Sequence, residues 1–438
     1  MIVEYALFAS QILLLSVMLR FSMVGAKNGL QRLGNPLMWF GLFYTLWFLI
    51  PQIFALLPGH LIIGLEGLSE SERGEAVMPT QLYLIVFLLS VAVGFATVTL
   101  AGGWRTLDGK DSMPFESINW GYAGVLLLVG LFGFHMMGEV YSSLGPTAHR
   151  SAIVKSTSGK IYASLSFFGS FATAYLVAHL WLRKMRMAAF LVLATYLYFA
   201  FFTDARGRMM WPAVQATMFI WLQQKQVKLG KVIAYAIGGL IVLALLDPLF
   251  ISFKNNNSER IEQALSPAAI LTSLFFTRNF DGFANLALIT HLDRIPESLT
   301  ILLKGGREAY MNTYFPEILA MGVAFPTTFP GEAWIAGKLP FLFAFSMLYG
   351  VLLGLLNAFI RRARRESQVW VYLMGIPYLA GIGNDFIPSL GKLIAATAAP
   401  VVWMFSSWVW DSMRGSQRKP RAITSELEVR PASTSRAR

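Results

Sequence analysis

The chain has no cysteine, which excludes disulfides, thiolate nucleophiles and zinc–thiolate centres. Charge is scarce as well. Asp, Glu, Lys and Arg supply 14% of the 438 residues, where a soluble globular chain carries about a quarter. There is no His/Asp cluster with metal-ligand spacing, no glycine-rich nucleotide loop and no Gly-x-Ser-x-Gly elbow. What fills the chain instead is apolar: 55% of residues are hydrophobic and the mean hydropathy is +0.55. The apolar residues fall in runs of about 17–25, the length at which a helix crosses a bilayer core. The short polar/apolar alternation of a transmembrane barrel is missing. The formal net charge of +12 belongs to membrane topology and gives no reason to expect nucleic-acid binding.

The expected fold is therefore an all-α polytopic membrane protein. Run lengths give about eleven spans, near 3–19, 36–57, 81–100, 121–139, 161–182, 187–203, 208–223, 231–250, 333–360, 370–387 and 390–411. The first run has neither a basic leader nor a small-residue cleavage site, so it reads as a retained span. Basic residues cluster after the odd-numbered spans: Arg20, Lys27 and Arg32, then Arg183 to Arg186, Lys225 to Lys231, Arg361 to Arg365, and the tail after the last span. The positive-inside rule makes that side cytoplasmic, with the N-terminus outside and the C-terminus inside. The sequence then divides into a membrane domain over 1–413 and a basic tail over 414–438, rich in Ser, Pro and Arg and expected to be disordered. One outer connection, 251–332, is long. Ser266 and Pro267 open one helix there and "RNFDGFANLALITHLD" forms a second. It reads as a lid of short helices lying on the membrane. No internal repeat is evident, contrary to an inverted-repeat transporter.

This topology puts "TDARGRMMWPAV" at the outer surface. Arg206 and Arg208 stand at the N-terminus of a span entering from outside, against the positive-inside bias. A helix N-terminus offers unpaired N–H groups and about half a positive charge. Asp204 suits its cap, and Gly207 admits a ligand to the backbone. Other outer cations are Arg150, Lys155, Lys160, Arg278 and Arg307. Guanidinium groups gathered on the outer face suit a phosphate-bearing lipid substrate; snorkelling to lipid phosphate is the plainer alternative. The outer carboxylates of interest are Asp281, Glu308, Glu317 and Glu332. Glu332, in "FPGEAWIAG", sits where the chain re-enters the membrane, a costly place for an unpaired carboxylate. Arg278, Asp281 and Asn285 share one helical face. His149 and His291 are lone histidines, and Tyr310, Tyr314 and Trp334 fit an interfacial aromatic belt.

Four stretches, "TDARGRMMWPAVQATMFIW", "FFTRNFDGFANLALI", "HRSAIVKS" and "PGEAWIAGKLPFLFAFSMLYGVLLGLL", together resemble, in order and topology, the Wzy-type polymerases of bacterial surface polysaccharides, such as O-antigen polymerases, over roughly 140–360. The resemblance implies a glycosyltransferase of GT-C-like architecture in the inner membrane. Its substrate would be an oligosaccharide repeat unit on undecaprenyl pyrophosphate, polymerised at the periplasmic face with inversion and without cofactor or metal. Membrane lipid and a chain-length regulator are the implied partners, and nucleic acid is not. Carried over by motif, Arg206 or Arg208, Arg278 and Arg150 would bind pyrophosphate. Glu332 and Asp281 would be the candidate catalytic bases. Two arginines flank Gly207 where the family pattern has one, and Asn279 follows Arg278 where an acid is frequent. Two other functions stay open: an O-antigen ligase or other lipid-linked-sugar transferase, and a transporter or flippase. Transport would place charge at span centres, which are nearly free of it.

Overall fold

A computed structural model of the chain describes residues 2–23, 34–57, 69–101, 118–143, 157–201, 206–223, 238, 282–300, 305–320, 326–363, 365–382 and 386–415. In chain order the helices are α1 (Ile2–Ser22), α2 (Pro36–Ala55), α3 (Glu70–Ala101), α4 (Trp120–Ser143), α5 (Thr157–Leu182), α6 (Arg186–Phe201), α7 (Arg206–Leu222), α8 (Gly282–Leu292), α9 (Arg307–Tyr314), α10 (Pro316–Ala320), α11 (Phe329–Arg361), α12 (Glu366–Leu379) and α13 (Phe386–Gly415). No strand occurs among the described residues. Seven helices are long and apolar enough to cross a membrane: α1, α2, α3, α4, α5, α11 and α13. This is the helix set of a polytopic membrane protein. The sequence reading of about eleven spans differs from it in three places, and a fourth span is untested. Helices α6, α7 and α12 have 16, 17 and 14 residues, and at 1.5 Å per residue they are shorter than a hydrocarbon core of about 30 Å. The expected span at 231–250 lies outside the described residues except for position 238, as does the proposed disordered tail beyond 415.

Local chemistry sets the helix ends and breaks. Asn35 caps α2, its side chain accepting the Leu37 N–H at 3.0 Å, and Pro36 takes the first helical position. Within α2 the turn Thr45–Leu49 widens to a π-helix. Pro51 follows at once; lacking an N–H, it cannot bond the Trp47 carbonyl four residues back. Gly282, the first residue of α8, packs against that carbonyl: a Cβ at 282 would lie 2.7 Å from Trp47 O. Helix α11 breaks at Gly337–Lys338, where Lys338 has φ 55°. Pro340 causes the break, because it has no N–H for the Ala336 carbonyl and its ring crowds that carbonyl.

Two hydrophobic clusters organise the bundle. The first joins α1, α2, α3, α8, α9 and α11 around Phe40, Tyr44, Phe87, Phe283, Tyr310, Phe329 and Tyr349. The second joins α5, α7, α12 and α13 around Phe171, Tyr175, Phe219, Trp370 and Trp403. In the first, α3 crosses α11 with backbone on backbone. A Cβ on Gly94 would collide with the Met347 carbonyl, and one on Gly350 with the Val91 carbonyl. Small residues permit such an approach, which is a main source of helix association in lipid. Gly130 of α4 and Gly169 of α5 meet in the same way. Beside the first crossing runs a buried amide chain. Gln11 and Gln52 exchange hydrogen bonds at 3.0 Å. Tyr44 donates its hydroxyl to Gln11 at 2.7 Å, and Gln81 donates to Gln52 at 3.3 Å.

Contacts between helix ends show which ends share a face. The Ser22 carbonyl, at the end of α1, accepts from Asn35 and from Arg361, both at 3.1 Å. His179 near the end of α5 pairs with Glu366 at the start of α12. Phe219 near the end of α7 stacks on Trp370, and Trp403 of α13 packs on Tyr175. The ends of α1, α5, α7 and α11, which lead into four of the five basic connections, therefore lie on one face of the bundle.

Two substitutions test this packing. Gly350→Val drives a side chain into a backbone atom that cannot yield, so it should destabilise the protein by about 1–3 kcal/mol. Gln52→Leu leaves the amides of Gln11 and Gln81 short of partners, with a cost of about 1–3 kcal/mol. Thermal unfolding in detergent reads both, and a Gly350→Val midpoint equal to the wild type would contradict the crossing.

Candidate functional site

At the face opposite the basic connections, the start of α11 is tied down on several sides. Thr328 is its N-cap and accepts the Gly331 N–H at 3.2 Å. Phe329 N–H donates to the Ile382 carbonyl at 3.0 Å, fixing the start of α11 to the end of α12. Thr328 itself has φ 68° and ψ 156°, a conformation that non-glycine residues avoid and that marks a position held by its surroundings. One turn on comes Glu332, 4% exposed. Its Oε1 accepts the backbone N–H of Gly306 at 2.9 Å.

The partner turn is built for this contact. Gly305 has φ 83°, a left-handed conformation costing about 1–2 kcal/mol for a residue with a Cβ. A Cβ on Gly306 would stand 3.3 Å from Glu332 Cγ and from Thr327, so the absent side chain leaves room for the carboxylate. Arg307 follows immediately and opens α9. In α9, Tyr310 donates its hydroxyl to Asn285 Oδ1 at 2.8 Å, and Asn285 donates to the Pro326 carbonyl at 2.9 Å. Helix α8, the Gly305–Arg307 turn, α9 and α11 thus form one connected polar cluster under an aromatic layer. In that layer Tyr83 packs on Trp334 with ring centroids 4.2 Å apart. The Lys338 ammonium stands 5.7 Å from the centre of the Trp334 ring and forms an ion pair with Asp293. The Tyr314 hydroxyl accepts the Arg294 N–H at 3.3 Å. Burial, with a smaller contribution from Asp293, raises the Tyr314 phenol above its ordinary range, so at neutral pH it is a neutral hydrogen-bonding group and not a base.

The described residues separate the expected site groups unevenly. Glu332 is buried and clamped, whereas the other two outer glutamates, Glu308 and Glu317, are exposed. Asn285 is buried and hydrogen-bonded, and α8 is enclosed between α2, α3 and α11. The sequence reading lays this helix on the membrane; its all-round apolar sequence favours enclosure instead. Arg206 and Arg208 fall in the first turn of α7, and their side chains are outside the described residues. That helix ends at the basic face and rises about 25 Å, so its first turn lies toward the Glu332 face. Arg150, Arg278 and Asp281 lie outside the described residues.

One buried acid–base pair was not singled out from the sequence. His179 Nε2 and Glu366 Oε1 are 2.5 Å apart, both side chains fully buried, and Trp370 Nε1–H donates to the same carboxylate oxygen at 3.0 Å. A histidine inside an otherwise apolar span was the available signal, since ionisable groups there are expensive and usually paired. The pair sits at the basic face, at the other end of the bundle from Glu332.

The clamp makes distinct predictions for two substitutions of similar size. Glu332→Gln retains an acceptor for Gly306 N–H and should unfold within about 1 kcal/mol of wild type, whereas Glu332→Leu strands that buried N–H and should lose about 1–3 kcal/mol. Equal unfolding temperatures for the two variants would rule the clamp out. Comparison with protein-family models, curated proteins and solved structures finds no match for this chain.

Proposed function

We propose that the protein is a membrane glycosyltransferase that polymerises oligosaccharide repeat units carried on undecaprenyl pyrophosphate into a surface polysaccharide. On this reading the basic face is cytoplasmic and the Glu332 face is periplasmic, in the inner membrane of the cell. The observation that carries the proposal is the buried Glu332 carboxylate, held by the Gly306 N–H beside Arg307 at the end of the bundle where α7 begins with Arg206 and Arg208. A buried carboxylate beside the Arg307 turn, with the arginines of α7 joining it on this reading, would meet the two needs of glycosyl transfer from a polyprenyl pyrophosphate. One is a base for the attacking hydroxyl; the other is cationic stabilisation of the departing pyrophosphate.

The reaction is a single displacement. A hydroxyl oxygen of the acceptor sugar attacks the donor's anomeric carbon, and the bond from that carbon to the pyrophosphate oxygen breaks. The hydroxyl proton passes to Glu332, with Asp281 as the alternative base. Undecaprenyl pyrophosphate leaves with its negative charge balanced by Arg206 or Arg208, Arg278 and Arg150. Displacement from the opposite side inverts the anomeric centre. Segment 251–332 would position the acceptor and keep water from hydrolysing the donor. A GT-C-like architecture and a chain-length regulator as partner belong to the same proposal, which rests for them on the family resemblance.

The test is a gel of surface polysaccharide from cells lacking the gene, complemented with wild type or with variants. Deletion should collapse the ladder to core bearing a single repeat. Bare core with accumulating lipid-linked chains would mean a ligase, and an unchanged ladder would remove the polymerase reading. Arg206→Ala, Arg208→Ala and Arg278→Ala should each reduce polymer at least about ten-fold while leaving membrane insertion intact, the scale expected of a group that stabilises transition-state charge. Glu332→Gln should abolish turnover with substrate still bound. Cysteines placed at 206 and 280 should react with an impermeant thiol reagent from outside the cell; labelling only from the cytoplasm would invert the assignment of faces.

A further inference from the structure

We propose that the turns Arg183–Arg186 and Arg361–Arg365 together form a binding site for the phosphodiester headgroup of an acidic phospholipid. The site is independent of the proposed glycosyl transfer and lies at the opposite end of the bundle. Its cations are Arg183, Lys184 and Arg186 on the first turn and Arg362 on the second, all exposed. None of the four meets a carboxylate among the described residues.

Positive residues that serve only to orient spans need not converge, and like charges brought together repel. Here the fold brings them together. Arg183 lies one helical turn beyond His179, Arg362 lies four residues before Glu366, and His179 and Glu366 form the buried pair that joins α5 to α12. Both basic turns therefore flank one buried hydrogen-bonded pair that links the helices carrying them. Burying both of its partners carries a desolvation cost.

The first turn has a further unusual feature. Met185 N–H bonds the Leu180 carbonyl at 2.9 Å and Lys184 N–H bonds the Trp181 carbonyl at 3.0 Å. These two bonds define a helix end whose left-handed position normally takes glycine. Lys184 occupies it with φ 65°. A lysine stands where glycine would be free of strain, and it adds an ammonium group to the turn.

The neighbours choose a lipid over a soluble anion. Trp181 is 46% exposed and Met187 73% exposed, and the Arg186 guanidinium stands 5.4 Å from the centre of the Trp181 ring. Tryptophan with a stacked arginine beside bare apolar side chains belongs at the headgroup level of a bilayer. Basic pockets between spanning helices at that depth suit acidic headgroups.

The full-length protein in detergent is titrated with phosphatidylglycerol, phosphatidylcholine or inorganic phosphate while its unfolding temperature is followed. Phosphatidylglycerol should raise the temperature; the other two should not. The combined variant Arg183→Gln, Lys184→Gln, Arg362→Gln should need at least about ten-fold more phosphatidylglycerol for the same rise. The control Arg418→Gln, Lys419→Gln, Arg421→Gln removes equal charge from the C-terminal tail and should respond as wild type does. An unchanged response in the first variant, or an equal loss in the control, overturns the site. A rise produced by inorganic phosphate alone shows a free-anion site and overturns the lipid assignment. Should the first variant not fold, photoreactive phosphatidylglycerol on the wild type decides. Crosslinks confined to 181–187 and 362–365 support the site, and crosslinks spread over other helices overturn it.

Discussion

Backbone meets backbone where α3 crosses α11, and the position of Glu332 depends on that contact. Gly94 and Gly350 leave no side chain between the two helices. Inside lipid there is little hydrophobic gain in pressing one apolar helix on another, so close packing and polar pairing have to hold the bundle. With α11 fixed against α3, the break ahead of Pro340 sets where its first two turns go. A straight helix of 33 residues would be about 50 Å long, well beyond a hydrocarbon core of about 30 Å. The kink folds the excess back into the protein, and the folded-back piece is the one that carries Glu332 and Trp334.

The polar groups of the two clusters follow one rule with two outcomes. A buried polar atom in an apolar interior has to be paired within the protein. The first cluster meets this with neutral groups: the glutamine chain from Gln11 to Gln81, and Asn285 with Tyr310. The second uses an acid–base pair, His179 with Glu366. Neutral pairs hold position whatever the pH. They suit a region that keeps a carboxylate in a fixed place. A buried acid–histidine pair is costly to break, because removing one partner strands the other, which suits a junction that links α5 to α12.

The sequence made the membrane class and seven long helices legible because both depend on run length, a local property. It also marked Glu332, since a carboxylate at the start of a span is conspicuous. Span number was harder to read. Helices α6, α7 and α12 belong to apolar stretches that read as spans, but their regular helix covers only 16, 17 and 14 residues. Helix α8 was placed on the surface because Arg278, Asp281 and Asn285 line up on one face. Only Asn285 is among the described residues, and it points into the protein toward Tyr310. The Gly306 clamp and the His179–Glu366 pair join residues 26 and 187 positions apart. No periodicity connects such residues; only the fold does.

Glu332 and Glu366 show how burial alone fails to define a catalytic acid. Each carboxylate sits near the start of a helix and each is out of solvent. Glu366 is hydrogen-bonded to an imidazole and an indole inside a wall of aromatic rings. Glu332 accepts a backbone N–H from a glycine turn that is followed at once by Arg307. Its neighbours include a strained N-cap at Thr328 and a strained kink residue at Lys338. Strain of this kind persists only where the surrounding structure over-determines it, and it concentrates at working sites. The carboxylate between two strained joints is therefore the one to propose as the base, and the one packed among aromatic rings fastens two helices.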